Sequence, residues 1–332
     1  MSDYFRPLVQ QGAVRPNDAE PLAGSALWFT HAEHLRRGQP GAVIPVGEIP
    51  MSYLERLTLP RPALAGLDMN RPHLMGILNV TPDSFSDGGR HFEVEAARRA
   101  AIEMVAQGVS LIDVGGESTR PGAAEVPAED EISRTAPVIE VIRAETGTAI
   151  SIDTRKASVA EAALVAGASL VNDVSGFTFD AALAPLCAET RTPVCIMHAQ
   201  GDPATMQQDP QYDDVLLDVY DFLAAQVARL VSAGLDRGQI MIDPGIGFGK
   251  TQEHNLTLLR NLSLFHGIGC PILLGVSRKR FIGAIGKEPR AEARGPGSIS
   301  VGLSGLAQGV QILRVHDVAE TAQALRLWAA VR

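Results

Sequence analysis

The chain has 332 residues, 45% of them hydrophobic and 20% charged, a composition typical of a soluble globular protein with a large core. Its formal net charge of −9 comes without a cluster of lysine and arginine, which argues against nucleic acid and anionic membranes as partners. We find no signal peptide and no apolar stretch of about 18 residues, so we expect a cytoplasmic protein that does not span a membrane.

The three cysteines, Cys187, Cys195 and Cys270, lack the spacing of metal ligands. Cys195 lies within an apolar, strand-like run, and the other two occupy loop or helix positions. We therefore predict buried free thiols, as is usual in a reducing compartment.

Residues 1–71 differ from the rest of the chain in composition and pattern: they are rich in proline and lack a repeating pattern. The segment Ala26–Phe29 predicts a strand, and His31–Arg37 predicts a short helix. We interpret this region as an N-terminal extension without a catalytic role. It is expected to cover the bottom of the domain formed by residues 72–332 or to contribute to a subunit interface.

From Leu74 onward, short apolar runs alternate with alanine-rich helical segments. The apolar runs, which predict strands, are Leu74–Leu78, Ser110–Val114, Ala149–Ile152, Leu170–Val171, Val194–Met197, Ile240–Ile242, Ile272–Leu274 and Ile312–Val315. The helical segments are Val94–Gln107, Pro127–Glu145, Ser158–Ala166, Ala181–Glu189, Leu216–Ala233, Asn255–Phe265, Ser298–Gln308 and Ala319–Ala330. Eight such units predict an α/β fold, a (β/α)8 TIM barrel. An open doubly wound sheet is the alternative, but the glycine-rich dinucleotide motif is absent after the first strand.

Polar or titratable residues follow all eight predicted strands. Some of them are explained as turn formers or helix caps, but Lys279, His198, Arg314 and His316 are not. Because the carboxyl ends of barrel strands converge on one face, we predict an active site there.

The loops after the strands contain longer motifs, which occur in a fixed order along the chain. They are Gly76–Gly89, Asp113–Gly122, Ser151–Thr154, Val171–Val174, Met197–Gly201, Asp243–Lys250, Ser277–Arg280 and Arg314–Val318. In this order and spelling they resemble the signatures of the dihydropteroate synthases, from about Arg71 to the C-terminus. Ala199 and the segment Gly297–Gly309 depart from the commonest family pattern, and neither carries a residue to which we assign chemistry.

The resemblance implies a transferase of folate biosynthesis that condenses 6-hydroxymethyl-7,8-dihydropterin pyrophosphate with p-aminobenzoate and releases pyrophosphate. It implies that the pterin is bound by Asp153, Asn172, Met197, Asp243, Phe248 and Lys279. It implies that the pyrophosphate is bound by Asn79, Thr119, Arg314 and His316, and p-aminobenzoate by Arg120, Pro121, Phe248, Lys279 and Arg280. Asp153, Asn79, Arg120 and Lys279 are the expected catalytic residues.

The resemblance also implies Mg²⁺ as cofactor, with Asn79 as its protein ligand, and a homodimer that sulfonamides inhibit. Mg²⁺ prefers oxygen ligands and takes most of them from phosphate and water, so the absence of a histidine and cysteine cluster is expected. In the first loop, Asp83 and Asp87 are expected to hold Mg²⁺ or to pair with Arg120.

Two other functions remain open at this point. A folate-dependent methyltransferase barrel has a similar pterin pocket, but it is expected to lack the Glu117–Pro121 loop and the Ser277–Arg280 run, both present here. A non-catalytic, pterin-binding paralogue is expected to have lost anion-binding or loop residues. Asn79, Arg120 and Arg314 are all in place.

Overall fold

The computed structural model describes residues 3–80, 89–118, 125–201, 206 and 208–331. The N-terminal extension contains the strands β1 (Tyr4–Pro7), β2 (Glu20–Pro21), β3 (Trp28–Phe29), β4 (His31–Leu35) and β5 (Ala42–Pro45), and the helix α1 (Met51–Thr58). Strands β1, β4 and β5 form an antiparallel sheet, and β2 pairs with β3. The predicted short helix over 31–37 is therefore wrong, because β4 hydrogen-bonds to a strand on each side. Pairing on both edges overrides the local helical preference of this segment.

The barrel is built from eight parallel strands, which confirms the predicted TIM barrel. They are β6 (His73–Asn79), β7 (Leu111–Gly115), β8 (Ala149–Asp153), β9 (Leu170–Asp173), β10 (Val194–Met197), β11 (Ile240–Asp243), β12 (Leu273–Leu274) and β13 (Ile312–Val315). Their spatial order is β11-β10-β9-β8-β7-β6-β13-β12. A parallel bridge between Ile242 and Ile272 joins the two ends of the sheet.

Helices cover the outside of the barrel. They are α2 (Gly89–Gln107), α3 (Ala128–Glu145), α4 (Ala157–Ala166), α5 (Leu183–Thr190), α6 (Val215–Ser232), α7 (Gln252–Arg260), α8 (Arg280–Gly286), α9 (Gly295–Leu306) and α10 (Val318–Ala330). The helix predicted over Asn255–Phe265 ends at Arg260 and is followed by a 3-10 helix over Leu262–Ile268. Helix α8 is an addition to the predicted set. None of the helices in the described ranges is long and apolar enough to cross a membrane.

The bottom of the barrel is filled by apolar side chains from the segment that precedes β6. Leu64 and Met69, each 1% exposed, join a buried cluster with residues near the amino ends of the barrel strands. Cys195 belongs to this cluster, and Cys187 and Cys270 are also buried and free, which confirms the prediction of buried thiols. The amino ends of the strands are thus closed off, and the carboxyl ends form the remaining open face.

The sheet of the extension packs against the side of the barrel. The hydroxyl of Tyr4 donates to the carboxylate oxygens of Asp221 on α6, at 2.9 and 3.0 Å. The hydroxyls of Tyr53 and Tyr220 lie 3.1 Å apart, and Ser263 Oγ donates to the carbonyl of Pro7 over 2.9 Å. The extension is therefore attached to α6 and the neighbouring 3-10 helix through buried contacts.

Candidate active site

Three predicted residues are held at one level of the barrel by parallel pairing. Asn79 pairs with Gly115, Gly115 pairs with Asp153, and Asp153 pairs with Asn172 across β6 to β9. Gly115 leaves room between its neighbours, because a Cβ built on it would lie 3.5 Å from Asp153 Cβ and 3.7 Å from Asn79 Oδ1. The structure thus brings Asn79, Asp153 and Asn172 together at the open face.

Arg314 reaches this group from β13. Its Nε donates to Asp113 Oδ2 over 2.6 Å, and its Nη2 donates to Asp153 Oδ2 over 2.8 Å. Asn172 Nδ2 donates to the same oxygen of Asp113 over 3.2 Å. From the sequence we expect this guanidinium to bind pyrophosphate. The sequence does not predict that it also pairs with two carboxylates. With 23% of its side chain exposed, Arg314 also borders the open face, and its contact with pyrophosphate stays a prediction.

Asp113 is a site residue that we did not select from the sequence. Its side chain is fully buried, and it lies in the interior of β7 among apolar residues. The sequence does contain a sign of this role, because burying an ionisable side chain inside a strand costs free energy unless the side chain is paired. Here Arg314 supplies the pairing.

The carboxyl group of Asp153 has unusual electrostatics. The pKa of Asp153 is raised to about 7, chiefly because the carboxyl is buried; the charge of Arg314 opposes this shift, and the nearby Asp113 adds to it. One oxygen of each carboxyl, Asp113 Oδ1 and Asp153 Oδ1, is buried and has no hydrogen-bond partner among the described residues. Because buried acceptors are normally satisfied, these two oxygens are suited to N–H donors of a bound ligand.

Asp243 and Lys279 form the opposite side of the site. Asp243 Oδ1 accepts a hydrogen bond from Gly245 N over 2.7 Å, and burial raises the pKa of this carboxyl while Lys279 lowers it. Burial lowers the pKa of Lys279 to about 8, although Asp243 raises it. Lys279 Nζ donates to the carbonyl of Ile246 and lies 4.6 Å from the centre of the Phe248 ring.

Met197 completes this side of the site, since it is buried and pairs with Asp243 across β10 and β11. The structure therefore groups four of the predicted pterin-binding residues, Met197, Asp243, Phe248 and Lys279, at neighbouring strand ends. Aromatic and cationic groups are thus placed opposite the carboxylates of β7 and β8.

His316 lies at the end of β13, where its Nδ1 is 2.9 Å from Ser277 Oγ and its backbone N–H donates to the same oxygen over 3.1 Å. Arg278 is paired with Asp317 and has a φ of 59°, a strained value for a side chain of this size. Arg280 is exposed at the start of α8, directly after Lys279. The predicted contact of Arg280 with p-aminobenzoate stays a prediction.

A buried ionic network below the second predicted loop is a further feature that we did not predict. Glu117 accepts hydrogen bonds from Arg155 Nη2 over 2.8 Å and from Lys156 Nζ over 2.7 Å. Lys156 Nζ also donates to Glu131 Oε2 and to the carbonyl of Val126, each over 2.7 Å. Since Glu117 and Val126 flank the loop, this network holds both of its ends against α3 and the start of α4.

Five predicted residues lie outside the described residues. They are Asp83 and Asp87 in the first loop and Thr119, Arg120 and Pro121 in the second. Their predicted roles with Mg²⁺, pyrophosphate and p-aminobenzoate remain predictions.

The fold and this pocket place the chain in a class of known enzymes. Residues 75–316 match the family model described as pterin binding enzyme. The match covers β7 to β13 completely and most of β6, so it includes every strand end that forms the site. A barrel with this pocket is thus a pterin binding enzyme.

Individual relatives narrow the class. The dihydropteroate synthase of Escherichia coli strain K12 is 46% identical over 261 residues, which are 79% of this chain and 92% of that protein. The Bacillus subtilis strain 168 enzyme of the same name is 45% identical over 258 residues, covering 78% of this chain and 88% of that protein. The chain therefore belongs to the dihydropteroate synthases.

Solved structures of the family agree with the fold. Dihydropteroate synthase from Xanthomonas albilineans with 4-aminobenzoic acid has a TM-score of 0.77 and 44% identity, covering 82% of this chain and 98% of that one. The structure of the Xanthomonas albilineans enzyme in complex with 7,8-dihydropteroate has a TM-score of 0.74 and 42% identity, with the same coverage. A further structure, the Yersinia pestis enzyme in a sulfonamide drug complex, has a TM-score of 0.76 and 44% identity, covering 80% of this chain and 96% of that one.

Proposed function

We propose that the pocket between Asp153 and Lys279 is where this transferase of folate biosynthesis carries out its reaction. The enzyme condenses 6-hydroxymethyl-7,8-dihydropterin pyrophosphate with p-aminobenzoate, giving 7,8-dihydropteroate and pyrophosphate. The observation that carries the location is the pair of buried, unpartnered carboxyl oxygens on Asp113 and Asp153 within the described chain. The folate-dependent methyltransferase and the non-catalytic paralogue are both disfavoured by relatives that are synthases at more than 40% identity.

In this proposal the pterin ring binds with its donor and acceptor edge towards the carboxyl and amide groups. Asp153 and Asn172 accept and donate hydrogen bonds on one side, and Asp243 and Lys279 do so on the other. Met197 and Phe248 contact the faces of the ring. A ring that offers N–H donors would satisfy the acceptors to which the described part of the protein gives no partner.

The pyrophosphate is proposed to lie near Asn79, Arg314 and His316, with Thr119 as a further donor. Cationic and hydrogen-bond donors at these positions would neutralise its charge. For p-aminobenzoate we propose a site formed by Arg120, Pro121, Phe248, Lys279 and Arg280. The structure of the Xanthomonas albilineans relative with 4-aminobenzoic acid supports binding of this substrate class in the family.

The residues of the pocket fit Mg²⁺ as the proposed cofactor. Asn79 offers an amide oxygen at the rim of the site, next to the space above Gly115. An amide oxygen suits a hard ion that takes most of its oxygen ligands from phosphate and water. When bound, Mg²⁺ would supply positive charge to the departing pyrophosphate, with Asn79 as its protein ligand and Asp83 and Asp87 as further candidates.

We propose that bond breaking leads the reaction. The bond between the pterin methylene carbon and the pyrophosphate oxygen breaks, and both electrons leave with pyrophosphate. The positive charge that remains on the dihydropterin is stabilised by the carboxylates of Asp113 and Asp153 and by Asp243. The amine of p-aminobenzoate then forms the new C–N bond with its lone pair and afterwards loses a proton.

The assay is pyrophosphate release from purified protein given the pterin pyrophosphate, with or without p-aminobenzoate and with Mg²⁺ or a chelator. We expect release that depends on both p-aminobenzoate and Mg²⁺, together with 7,8-dihydropteroate as product. Full activity in the chelator would refute the requirement for Mg²⁺. Pyrophosphate release without p-aminobenzoate would show that water captures the pterin cation. No release from folded protein that still binds pterin would refute the synthase.

We further propose that the enzyme works as a homodimer in the cytoplasm. The three buried free cysteines support a reducing compartment. An apolar groove on α7, α8 and α9, which includes Phe281 and the 53% exposed Ile285, supports a subunit interface. Sedimentation equilibrium of wild type and Ile285→Glu tests the dimer. If the groove is the subunit interface, a glutamate at this position should dissociate the dimer into monomers.

A further inference from the structure

Lys250 is a buried amine surrounded by lone pairs. It ends the Asp243–Lys250 motif and is only 3% exposed. Its Nζ lies 2.9 Å from the carbonyl of Gly245, 3.0 Å from that of Phe248 and 3.2 Å from that of His198. It also lies 2.9 Å from His198 Nδ1. The sequence alone suggests no role for Lys250, and none of its hydrogen bonds within the described chain is to a carboxylate.

The four acceptors require N–H groups, and an ammonium offers three of them and no lone pair. Burial opposes the charge, since it lowers the pKa of Lys250 well below its usual range, whereas Asp243 raises it. His198 is the neutral partner, because burial, with a contribution from Lys250, lowers its pKa to about 2. The amine thus occupies the position that a bound cation would take between two loops.

The two loops approach each other too closely for ordinary side chains. Gly245 has a φ of 69°, and a Cβ built on it would lie 1.8 Å from the carbonyl oxygen of His198. Gly249 has a φ of 61°, and its Cβ would lie 2.4 Å from the carbonyl oxygen of Gln200. The carbonyl oxygens of Gly245, Phe248 and His198 all lie within 3.2 Å of Lys250 Nζ. Carbonyl oxygens grouped around one point repel one another unless a donor lies between them, and Lys250 supplies that donor.

The loop that Lys250 holds carries the residues of the site. Asp243 precedes it, the carbonyl of Ile246 accepts from Lys279 Nζ, and the ring of Phe248 lies 4.6 Å from that same amine. The backbone carbonyl of Phe248 is itself bound by Lys250. A displacement of this loop therefore moves Phe248 and the acceptor of Lys279 together.

We propose that Lys250 is a positioning residue of this enzyme, whose buried amine donates hydrogen bonds to both loops and so sets the Pro244–Phe248 loop and thereby the place of Lys279 and Phe248. The inference rests on the proposed function, in which Lys279 and Phe248 contact both the pterin and p-aminobenzoate. It predicts a loss in turnover that follows from the missing N–H donors, not from lost packing volume.

The test compares Lys250→Met, which keeps most of the apolar volume, with Lys250→Ala, which opens a cavity the size of propylammonium. We expect kcat/KM for p-aminobenzoate to fall between about tenfold and about hundredfold in both variants, as for a small misplacement of catalytic groups. Propylammonium chloride should restore a large part of the activity of Lys250→Ala and none of that of Lys250→Met. Propanol and potassium chloride serve as controls for apolar filling and ionic strength.

Arg61→Met is the control for Lys250→Met, because it also removes a buried basic side chain that binds carbonyl oxygens, at a position outside the site. Arg61 is 5% exposed and donates only to carbonyl oxygens within the described chain, those of Leu59, Arg56 and His266. We expect it to lower the melting temperature while leaving kcat and both KM values within about twofold of wild type. All rates are measured below the melting temperature of each variant.

Two results would overturn the proposal. One is a Lys250→Met protein whose kcat/KM for both substrates stays within about twofold of wild type. The other is rescue of Lys250→Ala by propanol as effective as rescue by propylammonium, which would show that volume alone matters. Failure of the proposed function is a separate outcome, because it would be seen as absent dihydropteroate formation by the wild-type enzyme.

Discussion

Replacement of Asp153 by asparagine removes a negative charge from the site while keeping the shape of the side chain. Asp113 and Asp153 carry two negative charges and Arg314 carries one positive charge, so this ion-paired group has a net charge of −1 when both acids are ionised. The variant brings the net charge of the group to zero. A developing pterin cation would then lose its electrostatic stabilisation from this side of the pocket.

The magnitude follows from Coulomb's law. Two unit charges about 4 Å apart interact by about 4 kcal/mol at an effective dielectric constant of about 20. Because each 1.36 kcal/mol is about tenfold in rate, the chemical step should slow by up to about 10³-fold. Binding of an uncharged pterin gains little from the same charge, so its dissociation constant should rise far less.

The assay is a single-turnover rapid-quench measurement at pH 8, where Asp153, with a pKa of about 7, is mostly ionised. Pterin affinity is measured separately by calorimetry. Asp173→Asn is the matched control, because Asp173 is also a buried strand-end carboxylate but accepts hydrogen bonds from Ser175 and from the backbone of Phe177. Equal losses in rate and affinity for Asp153→Asn would refute the reasoning and leave Asp153 a binding residue only.

Four further predictions concern pH and stability. With the pKa of Asp153 at about 7 and that of Lys279 at about 8, kcat/KM should fall as the pH drops through about 7 and as it rises through about 8. The folded-state pKa of Asp153 also exceeds its ordinary value of 3.8, so its contribution to the free energy of unfolding should decrease as the pH rises from about 4 to about 7. Lys156→Met leaves two buried glutamates short of a partner and should lower the free energy of unfolding in urea by about 3–5 kcal/mol. Gly245→Ala, with its Cβ 1.8 Å from the carbonyl oxygen of His198, should lower it by more than about 2 kcal/mol and weaken pterin binding in calorimetry.

These predictions have matched controls. The acid limb of the pH profile should disappear in Asp153→Asn, and its survival would assign that limb to another group. The same variant should flatten the loss of stability between about pH 4 and pH 7 in urea unfolding. Arg98→Met removes an exposed ion pair with Glu145 and should change the free energy of unfolding little. If Lys156→Met and Arg98→Met lowered this free energy equally, burial would not explain the effect of Lys156. Gly147→Ala introduces a Cβ with no heavy atom within 4 Å, and a similar loss there would disprove the steric argument.

The barrel was predictable from the sequence because its strands are buried on both faces and therefore read as continuous apolar runs. Val194–Met197 and Ile312–Val315 have the predicted bounds. The placement of Asp153, Asn172 and Asp243 at the open face was also predictable, because each directly follows such a run and the strand ends of a barrel converge. The prediction from local sequence was wrong for His31–Leu35, which forms a strand because it pairs with a strand on each side.

Contacts between distant parts of the chain were not predictable from local patterns. Lys250 and His198 are 52 positions apart, and Arg314 and Asp113 are 201 positions apart. Their residue types suggest chemistry or charge, but only the packing of the barrel shows which lone pairs surround a given amine. From the sequence, Arg314 is predicted to bind an anion, and the two carboxylates with which it pairs are not predicted.

The extension has a consequence for any attempt to divide this protein. Tyr4 is part of the main barrel core, and Leu64 and Met69 fill the bottom of the barrel. Removing residues 1–71 would take away the ring of Tyr4 that packs against Tyr220 and would empty the floor beneath the strands. The catalytic barrel and its N-terminal sheet should thus melt in a single cooperative transition, and neither half is a module that can be exchanged between relatives.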